Sequence, residues 1–199
     1  MNKMNPRPQL QFKIASEDWE IELIHRLNYK TFVKEIPQHE PPHDGRLVDK
    51  FHAENTYVIC LCGQQLAGML ALRARRPFSL DQKLADLDSY LPAGRTVCEV
   101  RLLAVEKEFR TGQVFPGLLL FLWQYGIQQG YDLAIISGTT RQLKLYAHLG
   151  FTPFGPLVGT GTTLFQPMYM TKETFEARAK EFLQASPTPD FKAIGVAER

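Results

Sequence analysis

The sequence predicts a mixed α/β (α+β) fold, and three of its features support this class. Short runs rich in β-branched and aromatic residues have the length of strands. They alternate with longer segments whose apolar residues recur at helical spacing. With 199 residues, of which 44% are hydrophobic and 22% are charged, the chain can bury one substantial core. We therefore expect one globular domain over residues 10–185, a flexible lead-in at residues 1–9 and a flexible tail at residues 186–199.

The first half of the chain is predicted to contain three strands, a long helix and an inserted short helix. Leu10, Phe12 and Ile14 alternate with polar residues, as in a strand with one buried face. Ser16 then provides a helix cap, and a helical apolar pattern follows until prolines break it. A short Gly-Gln-Gln connection joins two β-rich runs as a hairpin. The predicted elements are a strand at 10–14, a helix at 17–34, strands at 57–62 and 66–73, and a capped helix at 79–91 that interrupts the sheet.

The second half is predicted to alternate strands with helices. A strong strand passes through a charged turn into a largely apolar helix, which Gly130 ends and which must be buried on most sides. Thr171 caps a polar final helix. The predicted elements are a strand at 97–105, a helix at 114–129, a strand at 131–137, a helix at 141–149, a strand at 164–170 and a helix from 171 to about 183. The resulting order is β, α, β, β, insert, β, α, β, α, β.

Charge and apolar pattern exclude several classes of protein. A net charge of +2 lacks the strong basic bias of a nucleic-acid-binding protein. The chain shows no apolar run of transmembrane length and no signal-peptide core near its start. We therefore expect a cytoplasmic protein that binds neither nucleic acid nor membrane. In that compartment its cysteines are reduced thiols; they are Cys60, Cys62 and Cys98.

No metal site is predicted from the side chains that commonly bind metals. Cys60 and Cys62 share one strand face but have no histidine neighbour. The clustered histidines and acids flank two prolines in a loop and lack a distant fourth ligand, so a solvated loop is expected there. These residues are His39, Glu40, His43 and Asp44.

The turn between the fourth strand and the apolar helix, Leu103 to Gly112, is a candidate binding segment. Exposed amides at the start of a helix are natural groups for binding phosphate. An anionic cofactor and a purely structural turn are both compatible with this segment taken alone.

Two motifs together resemble the GNAT acyltransferase superfamily. The segment from Arg141 to Phe151 is similar to a late GNAT signature, in which a helix carries a tyrosine, here Tyr146, and Leu-Gly-Phe opens the next strand. Upstream, Leu103-Ala-Val-x-x-x-Phe-Arg110 resembles the strand that pairs with pantetheine and the pyrophosphate loop after it. The resemblance covers about residues 10–170. It implies a mostly antiparallel central sheet of six to seven strands, flanked by helices and splayed at the fourth strand.

A narrower resemblance concerns acyl-homoserine-lactone synthases and long-chain N-acyl amino acid synthases. Leu27-x-Tyr29-x-x-Phe32-Val33-x-Glu35, Asp49-x-Phe51 and Tyr57 are similar to their amino-terminal part. Glu99-Val-Arg101-Leu resembles their Glu-x-x-Arg strand signature, with the spacing shifted by one residue. The insertion at residues 77–92 contains Phe78 and four leucines, and either covers an acyl chain or packs the core.

The phosphate loop departs from the family pattern Arg-x-x-Gly-x-Gly. Gln113 and Phe115 stand where glycines are expected, and Gly112 comes one residue early. A bulky Phe115 hinders close approach of pyrophosphate to the backbone. Acyl-CoA, acetyl-CoA and acyl-4'-phosphopantetheine on an acyl carrier protein therefore all remain possible donors. A carrier protein would meet a basic patch at a strand end, although so short a run is more often solvated; it consists of Arg73, Arg75 and Arg76.

Transfer of an acyl group from a thioester to an amine requires a base, a donor to the oxyanion and an acid. Strand alternation places Glu99, Arg101, Leu103 and Val105 on one face, which makes Glu99 the candidate base. A main-chain amide within 103–105 polarises the carbonyl, and Tyr146 protonates or hydrogen-bonds the leaving sulfur. A surface ion pair between Glu99 and Arg101 and a core role for Tyr146 are the alternatives. The predicted catalytic residues are Glu99, Arg101 and Tyr146, and the predicted cofactor-binding residues are Leu103, Ala104, Val105, Arg110, Thr111, Gly112, Gln113, Val114 and Tyr146.

The resemblance and this chemistry predict a GNAT-type N-acyltransferase. It would transfer an acyl group from acyl-CoA or an acyl carrier protein to the primary amine of a small molecule. The alternative is a GNAT-fold domain that binds or senses acyl thioesters without turnover, because a fold alone does not guarantee chemistry. The oligomeric state is left open.

Overall fold

The computed structural model describes residues 9–36, 42–160 and 163–185, and over these ranges it contains eight strands and four α-helices. The predicted tail and nearly all of the predicted lead-in lie outside the described residues. The elements are β1 (Leu10–Ile14), α1 (Asp18–Tyr29), β2 (Asn55–Cys62), β3 (Gln65–Arg73), β4 (Val97–Val105), α2 (Val114–Gln128), β5 (Leu133–Thr139), α3 (Leu143–Leu149), β6 (Thr152–Pro153), β7 (Val158–Thr160), β8 (Thr163–Thr171) and α4 (Lys172–Ala185). A π-helical turn, Lys30–Glu35, follows α1 directly.

The strands are ordered β1-β2-β3-β4-β5-β8-β6, and β7 pairs with β8 off this path. The predicted mixed, mostly antiparallel sheet is therefore confirmed. By its internal contacts the chain divides into two compact units. Among the described residues, unit 1 comprises 9–36, 42–52, 56–71 and 102–122, and unit 2 comprises 53–55, 72–101, 123–160 and 163–185. Strand β4 passes from unit 2 to unit 1 between Arg101 and Leu102.

Unit 1 packs α1 and its π-helical turn against the strands that begin the sheet. β1 pairs antiparallel with β2, from Leu10 opposite Cys62 to Ile14 opposite Val58. The helix starts one residue later than predicted, because Glu17 rather than Ser16 is the N-cap. The buried carboxylate of Glu20 explains this start, since it accepts the amides of Ser16 (2.8 Å) and Glu17 (3.2 Å). The core of this unit contains Ile24, Leu27, Tyr57, Ile59, Leu61, Leu66, Met69, Ala71 and Ala104.

The first half of α2 lies close to strand β3 because β3 has a glycine at the point of contact. A Cβ on Gly68 would come within 2.8 Å of Val114 Cγ1 and 3.2 Å of Leu118 Cδ1. The predicted apolar helix thus forms with Val114 and Leu118 almost fully buried. Any larger residue at position 68 would push the start of the helix away from the sheet.

Unit 2 is built on β5, which pairs antiparallel with β8 along its whole length. Neighbouring residues of β5 point to opposite faces, and each face has its own apolar cluster. Ile135 belongs to the insertion cluster, formed by Phe78, Leu80, Leu84, Leu87, Ile135 and Val158. Ile136 belongs to the helix cluster, formed by Ile136, Phe151, Met168 and Met170 with Val100, Leu143, Tyr146, Leu149 and Phe175 packed against it.

Two local predictions in unit 2 were wrong. The insertion is not a helix over 79–91, because Asp86 adopts a left-handed φ of 52° and leaves only a 3-10 turn at Leu87–Tyr90. The leucines that suggested the helix nevertheless share one buried cluster. The short strands β6 and β7 were not predicted, since two or three residues carry no readable alternation. Thr171 does cap α4, accepting the amide of Thr174 at 3.3 Å.

Candidate active site

Strand β4 is the element that carries the candidate base, and its pairing with β5 is short. The two strands run parallel, and Val97, Cys98 and Glu99 lie opposite Leu133, Ala134 and Ile135. Beyond that point β5 continues to Thr139 with β8 as its registered neighbour. The registered pairing of β4 with β5 therefore ends at Glu99, on the strand where the resemblance implies a splay.

Glu99 is fully buried, with 0% of its surface exposed. Its carboxylate accepts the amide of Ser79 at 2.8 Å and the hydroxyl of Ser79 at 2.5 Å. Arg101 Nε lies 3.7 Å from the same carboxylate, and the Arg101 side chain is 14% exposed. The predicted pair of Glu99 with Arg101 thus exists, but it is buried rather than at a sheet surface, and Ser79 is the closer partner. Charge-assisted hydrogen bonds of this kind hold a buried carboxylate in one orientation.

Tyr146 lies on α3 with its ring against β5. A Cβ on Gly138 would come within 2.9 Å of the Tyr146 ring, so this glycine is what lets the ring pack closely against the strand. The ring also meets Phe151 edge to face, with centroids 6.3 Å apart. The Tyr146 hydroxyl donates a long hydrogen bond of 3.4 Å to Gln142 on the preceding turn.

Glu99 and Tyr146 occupy opposite faces of the unit 2 sheet. Glu99 is opposite Ile135 and is bonded to Ser79, which stands between two members of the insertion cluster. Tyr146 packs in the helix cluster with Ile136. The structure therefore brings the candidate base and the candidate acid to the same pair of strands, but not into contact with each other.

The carboxyl end of β4, Leu103 to Val105, lies in unit 1 and follows one residue of unusual backbone conformation. Leu102 has φ of 54°, a left-handed conformation that is rare for a branched residue and marks a bulge. The alternation predicted from Glu99 to Val105 therefore holds only on each side of Leu102. Leu102 and buried Ala104 both pack toward the unit 1 core, which leaves Leu103 and Val105 half-buried.

The donor turn, residues 106–113, begins with a 3-10 turn at Lys107–Phe109 and leads into α2. Thr111, Gly112 and Gln113 are exposed, whereas Val114 is buried. Arg110 Nε donates to the carbonyl of Val105 at 2.9 Å, and Arg110 Nη2 pairs with Glu35 at 2.5 Å. The arginine predicted to bind phosphate is thus already occupied by a carboxylate and a carbonyl.

Acidic residues surround the same turn. Lys30 on the π-helical turn pairs with Glu106, and this hydrogen bond raises the pKa of Lys30. Gln65 donates to Glu108 at 2.8 Å. The main-chain amide of Glu108 and this bond from Gln65 lower the pKa of Glu108, so it stays charged. The turn holds as many acids as bases and offers little net positive charge to a phosphate.

Sequence reasoning missed four residues of these surroundings. Ser79 was interpreted only as a helix cap, and nothing in its local sequence indicates a bond to Glu99. Gly138 did carry a signal, because a glycine inside a strand suggests close approach of another group. Lys30 and Glu35 had no signal as partners of the turn, since they lie about 75 positions away in sequence.

The three arginines of the predicted basic patch do not lie together on the surface, because one is buried and two are exposed. Arg73 does not form part of an exposed basic patch: it is 2% exposed, pairs with Glu54 and donates to the Pro77 carbonyl at 2.7 Å. Arg76 pairs with Asp81 and Asp88, while Arg75 is exposed. Burial raises the pKa of both Cys60 and Cys98 to about 12.

Neither a metal-binding cluster nor a membrane-spanning helix is found in the part of the chain that the structure describes. No cluster of three or more His, Cys, Asp or Glu side chains there is arranged to bind a metal ion. His39 and Glu40 lie outside the described residues. Within residues 9–36, 42–160 and 163–185, none of the helices combines the length and apolar character that crossing a membrane requires.

The known proteins that resemble this chain include acyl-homoserine lactone synthases and an N-acyl amino acid synthase. A family model described as N-acyl amino acid synthase FeeM matches residues 23–170. The fold is similar to that of BjaI, a CoA-dependent acyl-homoserine lactone synthase, with a TM-score of 0.73 and 19% identity over 90% of this chain and 92% of that one. It is also similar to FeeM, an N-acyl amino acid synthase from uncultured soil microbes, with a TM-score of 0.70 and 18% identity over 88% and 99%. The AHL synthase LasI follows, with a TM-score of 0.65 and 15% identity over 83% and 91%. No curated protein matches the sequence.

Proposed function

Because the chain belongs to the FeeM family of N-acyl amino acid synthases, and is thus an N-acyltransferase, we propose that it joins an acyl group from a pantetheine thioester to the primary amine of an amino acid or similar small molecule. The family is one of enzymes, so acyl transfer is preferred to the alternative of a sensing domain. Family membership does not identify the acyl donor or the acceptor amine, so both are inferred from the residues around Glu99 and the donor turn.

One observation carries the proposal: β4 and β5 stop pairing at Glu99, with a carboxylate on one face and a tyrosine on the other. Strand edges without a neighbour bind extended chains through their main-chain groups. A pantetheine arm is such a chain, since it carries two amides. An amine approaching from the Glu99 face and a thiol leaving on the Tyr146 face would then meet at the thioester carbon.

The proton of the ammonium group must leave before nitrogen attacks. Glu99 has no exposed surface in this conformation, so we assign the transfer to its hydrogen-bonded neighbour, the Ser79 hydroxyl, which passes its own proton to Glu99 as it accepts one from the amine. The C–N bond forms, a main-chain amide of β4 stabilises the oxyanion, the nitrogen loses its second proton to water, and the C–S bond breaks. Tyr146 gives its hydroxyl proton to the thiolate. Arg101, with its Nε 3.7 Å from the Glu99 carboxylate, orients that carboxylate.

The donor turn supports a thioester that is held mainly by its arm. Arg110 is engaged by Glu35, the turn carries Glu106 and Glu108, and Gly112 is its single glycine. Phosphate binding to such a turn is weak, because each phosphate meets nearby carboxylates. Both CoA and a carrier protein supply the same arm, and relatives of this fold are described as CoA-dependent and as bound to isopentyl-CoA. We propose that the arm, and not the nucleotide, dominates donor recognition.

Thiol release and product mass, measured with a panel of acyl thioesters and amino acids, test the proposal. The wild-type chain is expected to form an N-acyl product with at least one pair. Glu99→Gln and Ser79→Ala are expected to lower kcat about 100-fold near neutral pH, the usual contribution of a general base. The loss should shrink above about pH 9, because an α-amino group deprotonates unaided near pH 8.

Tyr146→Phe is expected to lower kcat about tenfold without this alkaline recovery, since it removes an acid. Glu176→Gln, a matched charge change on the exposed face of α4, should retain the wild-type rate. Wild-type rates in Glu99→Gln and Tyr146→Phe would refute the assigned roles, and absence of any N-acyl product across the panel would refute the proposed function.

A further inference from the structure

The π-helical turn after α1 places two charged residues on one side of the chain. Lys30 and Glu35 are five positions apart, which in an α-helix would turn their side chains about 140° from each other. In this turn the Ile36 amide donates to the Thr31 carbonyl at 2.8 Å, the five-residue spacing of a π-helix. That wider winding stacks residues five apart, so Lys30 and Glu35 project in similar directions.

Both of these residues pair with the donor turn. Lys30 pairs with Glu106 at the beginning of the turn, and Glu35 pairs with Arg110 at 2.5 Å toward its middle. Arg110 is further fixed by its bond to the Val105 carbonyl. We call this set of residues, Lys30, Glu35, Glu106 and Arg110, the turn clamp. All four lie in unit 1.

The turn clamp has opposite electrostatic effects at its two ends. Glu35 neutralises Arg110, so a phosphate that binds Arg110 must displace a carboxylate and remain near it. Lys30 neutralises Glu106, and so removes a negative charge that would repel the same phosphate. The side chains of Arg110 and Glu35 are 42% and 29% exposed, so the pair is open to competition by a ligand.

We propose that Glu35 is a specificity-determining residue, which disfavours donors with several phosphate charges relative to an uncharged thioester arm, and that Lys30 opposes it. The inference rests on the proposed function, because it concerns the donor of that reaction. It goes beyond that function in naming a residue outside the reacting groups, and in giving the π-helical turn a role.

The test compares two donors that share one acyl group and one thioester arm: acyl-CoA, which carries several negative charges, and S-acylpantetheine, which carries none. The measured quantity is the donor ratio, kcat/KM for acyl-CoA divided by kcat/KM for S-acylpantetheine. Glu35→Gln is expected to raise this ratio about fivefold, the upper range for releasing one exposed ion pair, through a lower KM for acyl-CoA. Lys30→Gln is expected to lower the ratio by a similar factor.

Glu22→Gln is the matched control, because Glu22 lies on α1, directly before the π-helical turn, and pairs with Arg26 and Arg46 instead of the donor turn. It should leave the donor ratio unchanged. Thermal melting of each variant establishes that it is folded.

Opposite shifts of the donor ratio in Glu35→Gln and Lys30→Gln support the proposal. A clamp with a purely structural role would instead lower kcat/KM for both donors alike in both variants, and the ratio would not change. Shifts in the same direction, no shift in either, or an equal shift in Glu22→Gln would overturn it while leaving the proposed function intact. Failure of the wild-type chain to use either donor would overturn the proposed function, and this inference with it.

Discussion

Replacement of Gly138 by alanine tests whether the position of the Tyr146 ring matters for acyl transfer. The new Cβ would lie 2.9 Å from two atoms of the Tyr146 ring and 3.3 Å from Met168 Sδ. Ordinary contact requires at least 3.4 Å, so the ring must move by about 0.5 Å (3.4 minus 2.9). Because β5 is fixed along its length by β8, the ring and not the strand is expected to shift.

The expected loss of rate follows from this displacement. A misplacement of about 1 Å at a reacting group can lower a rate about 100-fold, so half that shift is expected to lower kcat about tenfold. KM for the amine should change little, since Tyr146 lies on the face opposite Glu99. Overpacking by one methyl group costs about 1–3 kcal/mol, of which the lower backbone entropy of alanine offsets up to about 1 kcal/mol.

Single-turnover acyl transfer, followed as thiol release, measures the effect. Gly126→Ala is the matched control, because a Cβ there has nothing within 4 Å and position 126 lies in α2. That variant should keep the wild-type rate and gain about 0.5–1 kcal/mol of stability. The decisive comparison is made in the Tyr146→Phe background, where Gly138→Ala should have no further effect on rate if it acts through the hydroxyl. A wild-type rate in Gly138→Ala, or an equal loss in both backgrounds, would refute the reasoning.

Two predictions concern stability against pH. A hydrogen bond from Arg95 holds the pKa of Glu173 at about 2, below its usual 4.5. The charged Glu173 therefore contributes to the free energy of unfolding above pH 4.5, and this contribution is lost as the pH falls toward 2. Urea titrations should show that Glu173→Gln loses less stability than the wild type over that range. Burial, followed by His52 and Arg46, lowers the pKa of His25 below 6.5, so the unfolded chain binds the proton more readily and stability should fall as the pH drops below 6.5. In His25→Gln that slope between pH 8 and pH 5 should be shallower, and an unchanged slope would contradict the assignment.

Local sequence patterns predicted most of the fold, because strands and helices with one buried face show periodic apolar residues. The alternation of Leu10, Phe12 and Ile14 gave β1 its bounds, and Gly130 and Gly150, both with positive φ, end the elements before them as predicted. The failure at 79–91 has a definite cause. Its leucines do share a cluster, but a left-handed Asp86 breaks the helix that their spacing suggested.

The candidate site could be predicted only in part, because its contacts join distant segments. Glu99 and Tyr146 were found through motifs, whereas the bond from Ser79 to Glu99 spans 20 positions and leaves no periodic trace. The pairing of Arg110 with Glu35 spans 75 positions, so it also leaves no local pattern in the sequence. A π-helical turn has no sequence signature of its own, so the alignment of Lys30 with Glu35 appears only once the backbone winding is known.

The left-handed Leu102 has a consequence for anyone who wishes to engineer this chain. Glycine would relieve about 1–2 kcal/mol of unfavourable backbone conformation at that position. It would also delete a half-buried side chain that packs on the unit 1 core, and losing such a leucine costs about 2 kcal/mol or more. The two effects nearly cancel, so screens for higher thermostability are not expected to select a substitution at position 102. A change in turnover caused by glycine there would therefore reflect the flexibility of the β4 backbone and not a change in the free energy of unfolding.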